Sequence, residues 1–360
     1  MFGHTASEFP APIDRANRVF TRWNEQDDQG KTLREQVIER LRGQEQAGGE
    51  RDLQGIRLID EDLSGLDLSG VNLANADLSR ANLTGAKLVG AILTRACLHG
   101  ATLTDAECLK ADFSHADLSE CIAERTGFGH ANLRRAQLFS ANLNHSTFAE
   151  ADLRHADLRR ASLRHCRLKK AQLCHAEFGR ADLRDADLEG ADVDHAHFVE
   201  ADLRASRLRT LKNFSNGVFL HADIRDVDFS GAYLLRRQIM DENYLHEFKS
   251  AGTANRITYW VWWVTSDCGR SMLRFALWIF LITAAFGVAY GFVNIDYGRY
   301  PTALSPYYFS CVTLTTLGYG DVLPASTAAQ VVVMLEVFAG YMSLGGLLSI
   351  FSNKMARRGE

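Results

Sequence analysis

With 360 residues, 46% of them hydrophobic and 23% charged, and a net charge of −4, the chain has the averages of a soluble protein of two or three domains. The distribution excludes that reading: charges are dense up to position 250, whereas residues 275–293 carry none and residues 328–351 carry Glu336 alone. The seven cysteines are odd in number, scattered and without a CxxC, which excludes a disulfide framework and fits a reducing compartment.

The opening stretch MFGHTASEFPAPIDRANRVF has neither a basic region followed by an apolar run nor a small-residue cleavage site, so the N-terminal part is expected to stay in the cytoplasm. KTLREQVIERLRGQE follows as a helix signal. Thr32 is placed as its N-cap, Glu35 completes a capping box, and Leu33, Val37, Ile38 and Leu41 form one apolar stripe. Residues 1–50 thus read as an N-terminal segment with a capping helix.

Residues 51–235 run on a beat of five. Between positions 58 and 208 nearly every fifth residue is Leu or sometimes Phe, the residue two places earlier is usually Ala, as at Ala76, Ala81, Ala86 and Ala91, and the one between is often Asp or Asn. A period of five matches neither the 3.6 of a helix nor the 2.0 of a strand. A coil that turns a quarter of a revolution per unit accounts for it, with one large and one small apolar residue inward on each side. The unit A(D/N)LXX, as in ADLSRANLTGAKL, resembles the pentapeptide-repeat family, and the resemblance implies a right-handed quadrilateral β-helix. At four units per coil the stretch makes about nine coils, roughly 43 Å tall at ~4.8 Å per coil.

The register has faults. Cys108 and Ala123 stand in the Leu column, Cys121, Thr126 and Cys166 in the Ala column, and after Leu208 the phase slips by one to Phe219, Ile224, Phe229 and Leu234. An extra residue near RTLKNF is expected to bulge the coil. The family includes acidic DNA mimics, but here Arg134, Arg135, Arg159, Arg160, Arg167 and Lys170 form a basic middle, so a DNA mimic is not expected; no nucleic-acid partner is assigned. His155, His175 and His195, with His115 in the same outward slot, would stack one coil apart, either as a solvated ladder or as a proton-sensing or metal-binding column. Arg164, Arg184 and Arg204 form a second column, read as a solvated face paired with Asp and Glu, with an anionic regulator as the alternative.

Residues 236–271 read as a C-terminal capping helix and a membrane-surface linker. RRQIMDENYLHEF offers Ile239, Met240, Tyr244 and Phe248 to the last coil. TYWVWWV is too short to span a bilayer and is expected at its face, where indole rings are favoured, packing on the last coil being the alternative.

Residues 272–352 hold two apolar runs. The first, 275–293, gives about 28 Å of helix, and the second, 328–351, about 36 Å, so both are expected to cross a membrane. Arg270 and Arg274 precede the first run and Lys354, Arg357 and Arg358 follow the second in the tail 353–360, while Arg299 alone lies between. By the positive-inside bias both termini are cytoplasmic, in the cell inner (plasma) membrane. Between the runs, SPYYFSCVTL is expected to be a short helix from Pro306 to Thr315, with Ser305 as N-cap and Pro306 in the first turn.

TLTTLGYGD then carries the TxxTxGYGD pattern in Thr313, Thr316, Gly318, Tyr319, Gly320 and Asp321, with Pro324 after it. These residues resemble the two-transmembrane pore module of potassium channels. The resemblance implies an all-α pore domain with a re-entrant pore helix and a filter loop, in which Thr316, Leu317, Gly318, Tyr319 and Gly320 replace the hydration shell of K⁺. It also implies a homotetramer, one loop per chain. Thr313 and Asp321 would support the filter, Gly340 would be the hinge of the inner helix, and Tyr341, Leu344 and Leu348 would line the pore. Leu317 stands where Val is commoner, which leaves its carbonyl in place. Glu336, costly in a bilayer, is read as a buttress turned toward Ser310 or Thr313 rather than as an ion site.

The sequence therefore reads as a tetrameric potassium channel with a cytoplasmic solenoid, no enzyme activity, no cofactor beyond the permeant ion, and an unknown cytoplasmic regulator. With no P-loop, GxGxxG, HExxH or GxSxG, its carboxylates are assigned to the repeat. With two spans there is no Arg-rich voltage sensor. The rival is a membrane-anchored tetrameric scaffold whose solenoid recruits a partner.

Overall fold

The structure is a computed structural model that describes residues 23–26, 30–42, 51–298 and 301–356. The reading of residues 1–20, the tail residues 357–360, and the side chains of Leu41 and Lys354 lie outside the described residues. The chain divides into two compact units, Met1–Asn243 and Tyr244–Glu360.

In the first unit the second residue of each repeat bridges in parallel to the residue 20 positions later, as in Asp52↔Asn72 and Arg57↔Asp77. Twenty residues at five per side make a four-sided coil. The inward Leu donates its N–H to the coil above, Leu53 to Asn72 O at 2.7 Å and Leu78 to Cys97 O at 2.7 Å, so the backbone is satisfied between coils. The corner is the part the repeat leaves unstated. Every position divisible by five from Gly55 to Thr210 has φ between 49° and 70°. Only Gly adopts that region freely, and Asn, Asp and His are the side-chain-bearing residues most enriched there. Polar residues at the corner face water, and the ladder bonds on either side offset the backbone cost.

The Leu and Ala columns fill the interior, and Phe178, Phe198 and Phe219 stack at centroid distances of 4.8 and 4.9 Å, one coil apart. Where the repeat departs from Leu and Ala, polar atoms find carbonyls: Thr126 Oγ1 donates to Leu103 O at 2.7 Å and Cys166 Sγ to Leu143 O at 2.9 Å. Burial pushes the thiols of Cys121 and Cys166 up to about 12, so both behave as core residues rather than nucleophiles. All seven cysteines are free.

The phase slip falls where the sequence puts it. Asp192 still pairs with Lys212, but His197 pairs with Val218, 21 positions on, and Phe214–Asn216 forms a short 3₁₀ turn between them. Left-handed corners resume at His221, Asp226 and Gly231, one place out of the earlier register.

Helices close both ends. At the first coil lies α1 (Leu33–Arg42), where the Glu35 N–H donates to Thr32 Oγ1 and the Thr32 N–H to Glu35 Oε2, a complete capping box. Val37 and Ile38 join the solenoid core, and so does Trp23, whose Nε1 donates to Gln54 O at 3.0 Å. The last coil is covered by α2 (Tyr233–Ser250). Here the expected inward set needs correction: Leu234 is half exposed, because the helix has begun at Tyr233, and Leu235 and Ile239 are the buried pair. Met240 and Tyr244 are exposed rather than capping.

In the second unit, α3 (Thr253–Ser266) leads through a turn at Asp267 to α4 (Met272–Ala289), capped by Ser271 Oγ, which accepts the Arg274 N–H. A 3₁₀ turn, Tyr290–Phe292, extends it. Strand β1 (Ile295–Asp296) pairs antiparallel with β2 (Leu323–Pro324); between them lies α5 (Ser305–Leu314), and α6 (Thr327–Ala356) follows. Ser305 is not the N-cap of α5. It is the first helical residue, its Oγ accepting the Thr302 N–H at 2.8 Å, and Pro306 sits in the first turn. Met272–Phe292 and Thr327–Ser352 are long and apolar enough to cross a membrane, and only 6% and 11% of them is buried, unlike the core helices of a soluble protein.

Candidate functional site

Close backbone approaches position the short helix α5 between the two long ones. At Gly287 of α4 a Cβ would collide with the ring of Tyr307, and at Gly340 of α6 it would collide with the carbonyl oxygen of Leu314. At Gly346 a Cβ would come within 2.6 Å of the Phe275 ring, so α6 also lies close on α4. Gly340, expected as a hinge, is a contact point inside an unbroken helix in this structure. Gly345 faces open space.

Behind α5, Glu336 is fully buried. The hydroxyl of Tyr290 bonds one of its carboxyl oxygens and Ser310 Oγ bonds the other, while Ser310 Oγ also lies 2.8 Å from the carbonyl oxygen of Thr283. The cluster thus ties α6, α5 and α4 together. Of the two partners expected from sequence, Ser310 is the one bonded to Glu336.

The chain leaves α5 with Thr313 buried. The Thr316 N–H donates to Thr313 O at 3.0 Å and the Leu317 N–H to Val312 O at 3.0 Å, which starts the loop off the helix end. Thr316, Gly318 and Gly320 take φ of 57°, 49° and 75°. At the two glycines no atom lies within 4 Å of an added Cβ, so conformation rather than crowding demands glycine there. Residues 315–321 are all exposed in the single chain. The far side is fastened: Tyr308 donates its hydroxyl proton to Asp321 Oδ2 at 2.9 Å, and β2 pins the following residues to β1. On α6, Tyr341, Leu344 and Leu348 share one exposed face at helical spacing.

Tyr290 and Tyr308 were not singled out from sequence. Tyr308 had a signal, a phenol in the first turns of a helix that leads into a loop ending in Asp321. Tyr290 had only its place at the end of an apolar run.

On the solenoid, the rings of His155, His175 and His195 stack flat at 4.8 and 5.0 Å, tilted by 2° and 4°. Parallel rings point their nitrogens in parallel directions rather than at one centre. Among the described residues no group of three or more His, Cys, Asp or Glu is gathered for a metal, and the three histidines form a ladder of corner residues. Burial and the neighbouring His175 lower the His155 pKa. The arginine column is internally paired: Asp182 takes Arg164 at 2.6 Å and Arg184 at 2.9 Å, Asp202 takes Arg204 at 2.6 Å and meets Arg184 at 3.5 Å, and Asp223 meets Arg204 at 3.6 Å.

Known proteins divide along the same line. A family of pentapeptide repeats matches residues 62–100 and 166–204, a pentapeptide repeat region matches 91–168, and an ion channel family matches 277–357. The chain joins pentapeptide repeats to an ion channel domain related to potassium channels. Two-pore potassium channel 4 of Arabidopsis thaliana is 29% identical over 114 residues, covering 31% of this chain and 38% of the relative. The calcium-gated potassium channel TvoK of Thermoplasma volcanium is 35% identical over 72 residues, 19% of this chain and 21% of its own. The chain thus spans well under half the length of these relatives. Among solved structures, the pentapeptide repeat protein HetL of the cyanobacterium Nostoc is 24% identical with a TM-score of 0.41, over 54% of this chain and 92% of HetL. The ion channel domain and the two apolar helices indicate a membrane protein.

Proposed function

We propose that the chain is a potassium-selective channel that conducts K⁺ passively as a homotetramer, each copy supplying the filter loop 316–320. The observation that carries this reading is the loop itself: an exposed segment with Thr316, Gly318 and Gly320 at positive φ, delivered by a short helix and fastened by Tyr308 to Asp321. A loop exposed on one chain has an open side for three further copies, and four sets of carbonyls around an axis replace the water of a bare cation. Thr313 and Asp321 support the loop, Glu336 braces it from behind, and Tyr341, Leu344 and Leu348 line the inner pore.

Both termini and the solenoid lie on the cytoplasmic side of the cell membrane, where Arg270 and Arg274 flank the first span. In α3, Ile257, Trp260 and Val261 form an exposed apolar stripe that suits the membrane surface. The solenoid acts as a regulatory or assembly module, and the protein performs no enzymatic step. Reconstituted protein in liposomes is expected to pass K⁺ and exclude Na⁺. No K⁺ flux under any pH or ligand condition returns the reading to a scaffold.

A further inference from the structure

The cluster behind α5 contains three oxygen–oxygen contacts in series: the Thr283 carbonyl with Ser310 Oγ, Ser310 Oγ with Glu336 Oε1, and Glu336 Oε2 with Tyr290 Oη. Each contact needs one proton between its oxygens. A carbonyl brings none, and Ser310 and Tyr290 bring one each; the Thr313 hydroxyl, which bonds Tyr290, brings one proton for one further contact and leaves the balance unchanged. An ionised Glu336 would leave two protons for three contacts, so one pair of oxygens would face lone pair to lone pair in a fully buried site. A third proton, on Glu336, completes the series: Tyr290 donates to Oε2, the acid donates to Ser310, and Ser310 donates to Thr283. Among the described residues no cation bonds this carboxyl. Residues 275–298 and 301–353 contain no Lys, Arg or His, and the further phenol, Tyr297, bonds the Tyr290 carbonyl rather than the carboxyl.

We infer that Glu336 is held as the neutral acid, and that its proton is the bond by which the inner helix positions α5 and, through it, the filter loop. Glu336 is a positioning residue: it touches no ion and acts through Ser310. Its place in conduction rests on the channel reading above, whereas its protonation rests on the bond count alone. The chemistry specifies the substitute. A glutamine offers an N–H to Ser310 and a carbonyl to Tyr290, reproducing both bonds, whereas alanine reproduces neither.

Infrared difference spectra of the purified full-length protein in lipid, wild type minus Glu336→Gln, test the proton. The expected result is the carbonyl stretch of a protonated carboxylic acid that shifts in D₂O, is absent from Glu336→Gln and moves in frequency in Ser310→Ala. Carboxylate bands in its place overturn the inference. In K⁺ flux, Glu336→Gln is expected to recover activity to within about two-fold of wild type where Glu336→Ala loses about ten-fold or more, the range of one missing hydrogen bond to a charged or buried group. A folded Glu336→Gln that fails as badly as Glu336→Ala overturns the positioning role. If the wild type itself passes no K⁺, the channel reading falls and the spectrum still decides the proton.

Discussion

Gly340→Ala separates contact from hinge. A Cβ at this position would overlap the backbone carbonyl of Leu314 at the end of α5, and a backbone group cannot swing aside as a side-chain tip can. In an exposed helix the change would be favourable by about 1 kcal/mol through lower backbone entropy. Overpacking costs about 1–3 kcal/mol, and a rigid carbonyl in the way puts this case at the upper end. The net loss is therefore on the order of 2 kcal/mol, or roughly thirty-fold in the equilibrium that keeps α6 seated against α5. Two controls lie on the same helix. Gly345 faces open space, so Gly345→Ala should keep only the propensity gain, and at Gly346 the obstacle is the Phe275 ring, which can turn, so Gly346→Ala should fall between. Thermal unfolding of the three variants in one detergent, followed by near-UV circular dichroism, ranks them. The expected order of stability is Gly345→Ala, then Gly346→Ala, then Gly340→Ala. A Gly340→Ala protein as stable as Gly345→Ala, altered only in gating, would refute the contact argument and leave the hinge.

Tyr308→Phe removes the hydrogen bond to the Asp321 carboxylate that fastens the far side of the loop. Single-channel recording should show shorter openings or relaxed K⁺ over Na⁺ selectivity, with the fold unchanged by circular dichroism. Acid should loosen the solenoid through its aspartates. Arg204 holds the Asp202 carboxyl below its usual value and Arg225 does the same for Asp223, so their stabilisation is present above the unfolded pKa, near 4, and fades as pH falls through the lower folded values. Pulse proteolysis from pH 6 to pH 2 should show the fall, and Asp202→Asn should flatten it.

The solenoid was legible because its rule is local and repeats: Leu and Ala every five residues fix which atoms point inward, and the slip after Leu208 reappears as a one-residue change in pairing. The left-handed corner was less visible, because Gly, Asn, Asp and His share that slot with Arg, Glu and Lys. It gives the histidine column a conformational origin. Chain ends were harder. Leu234 and Leu235 are both apolar, and only the start of α2 at Tyr233 decides which faces the core. In the second unit the TxxTxGYGD pattern, the two long apolar helices and the inward turn of Glu336 could be read from the letters. The partners Tyr290 and Tyr308, and the Leu314 carbonyl beside Gly340, could not, since each contact is made by elements far apart in sequence.

The central claim is that 316–320 is a selective path for K⁺. Purified full-length protein in liposomes, loaded with K⁺ and assayed against a Na⁺ gradient in parallel, tests it most directly. The account requires K⁺ flux with Na⁺ excluded, and loss of that selectivity in Gly318→Ala, where a side chain is forced into φ of 49°. Equal passage of both ions, or of neither, would contradict it.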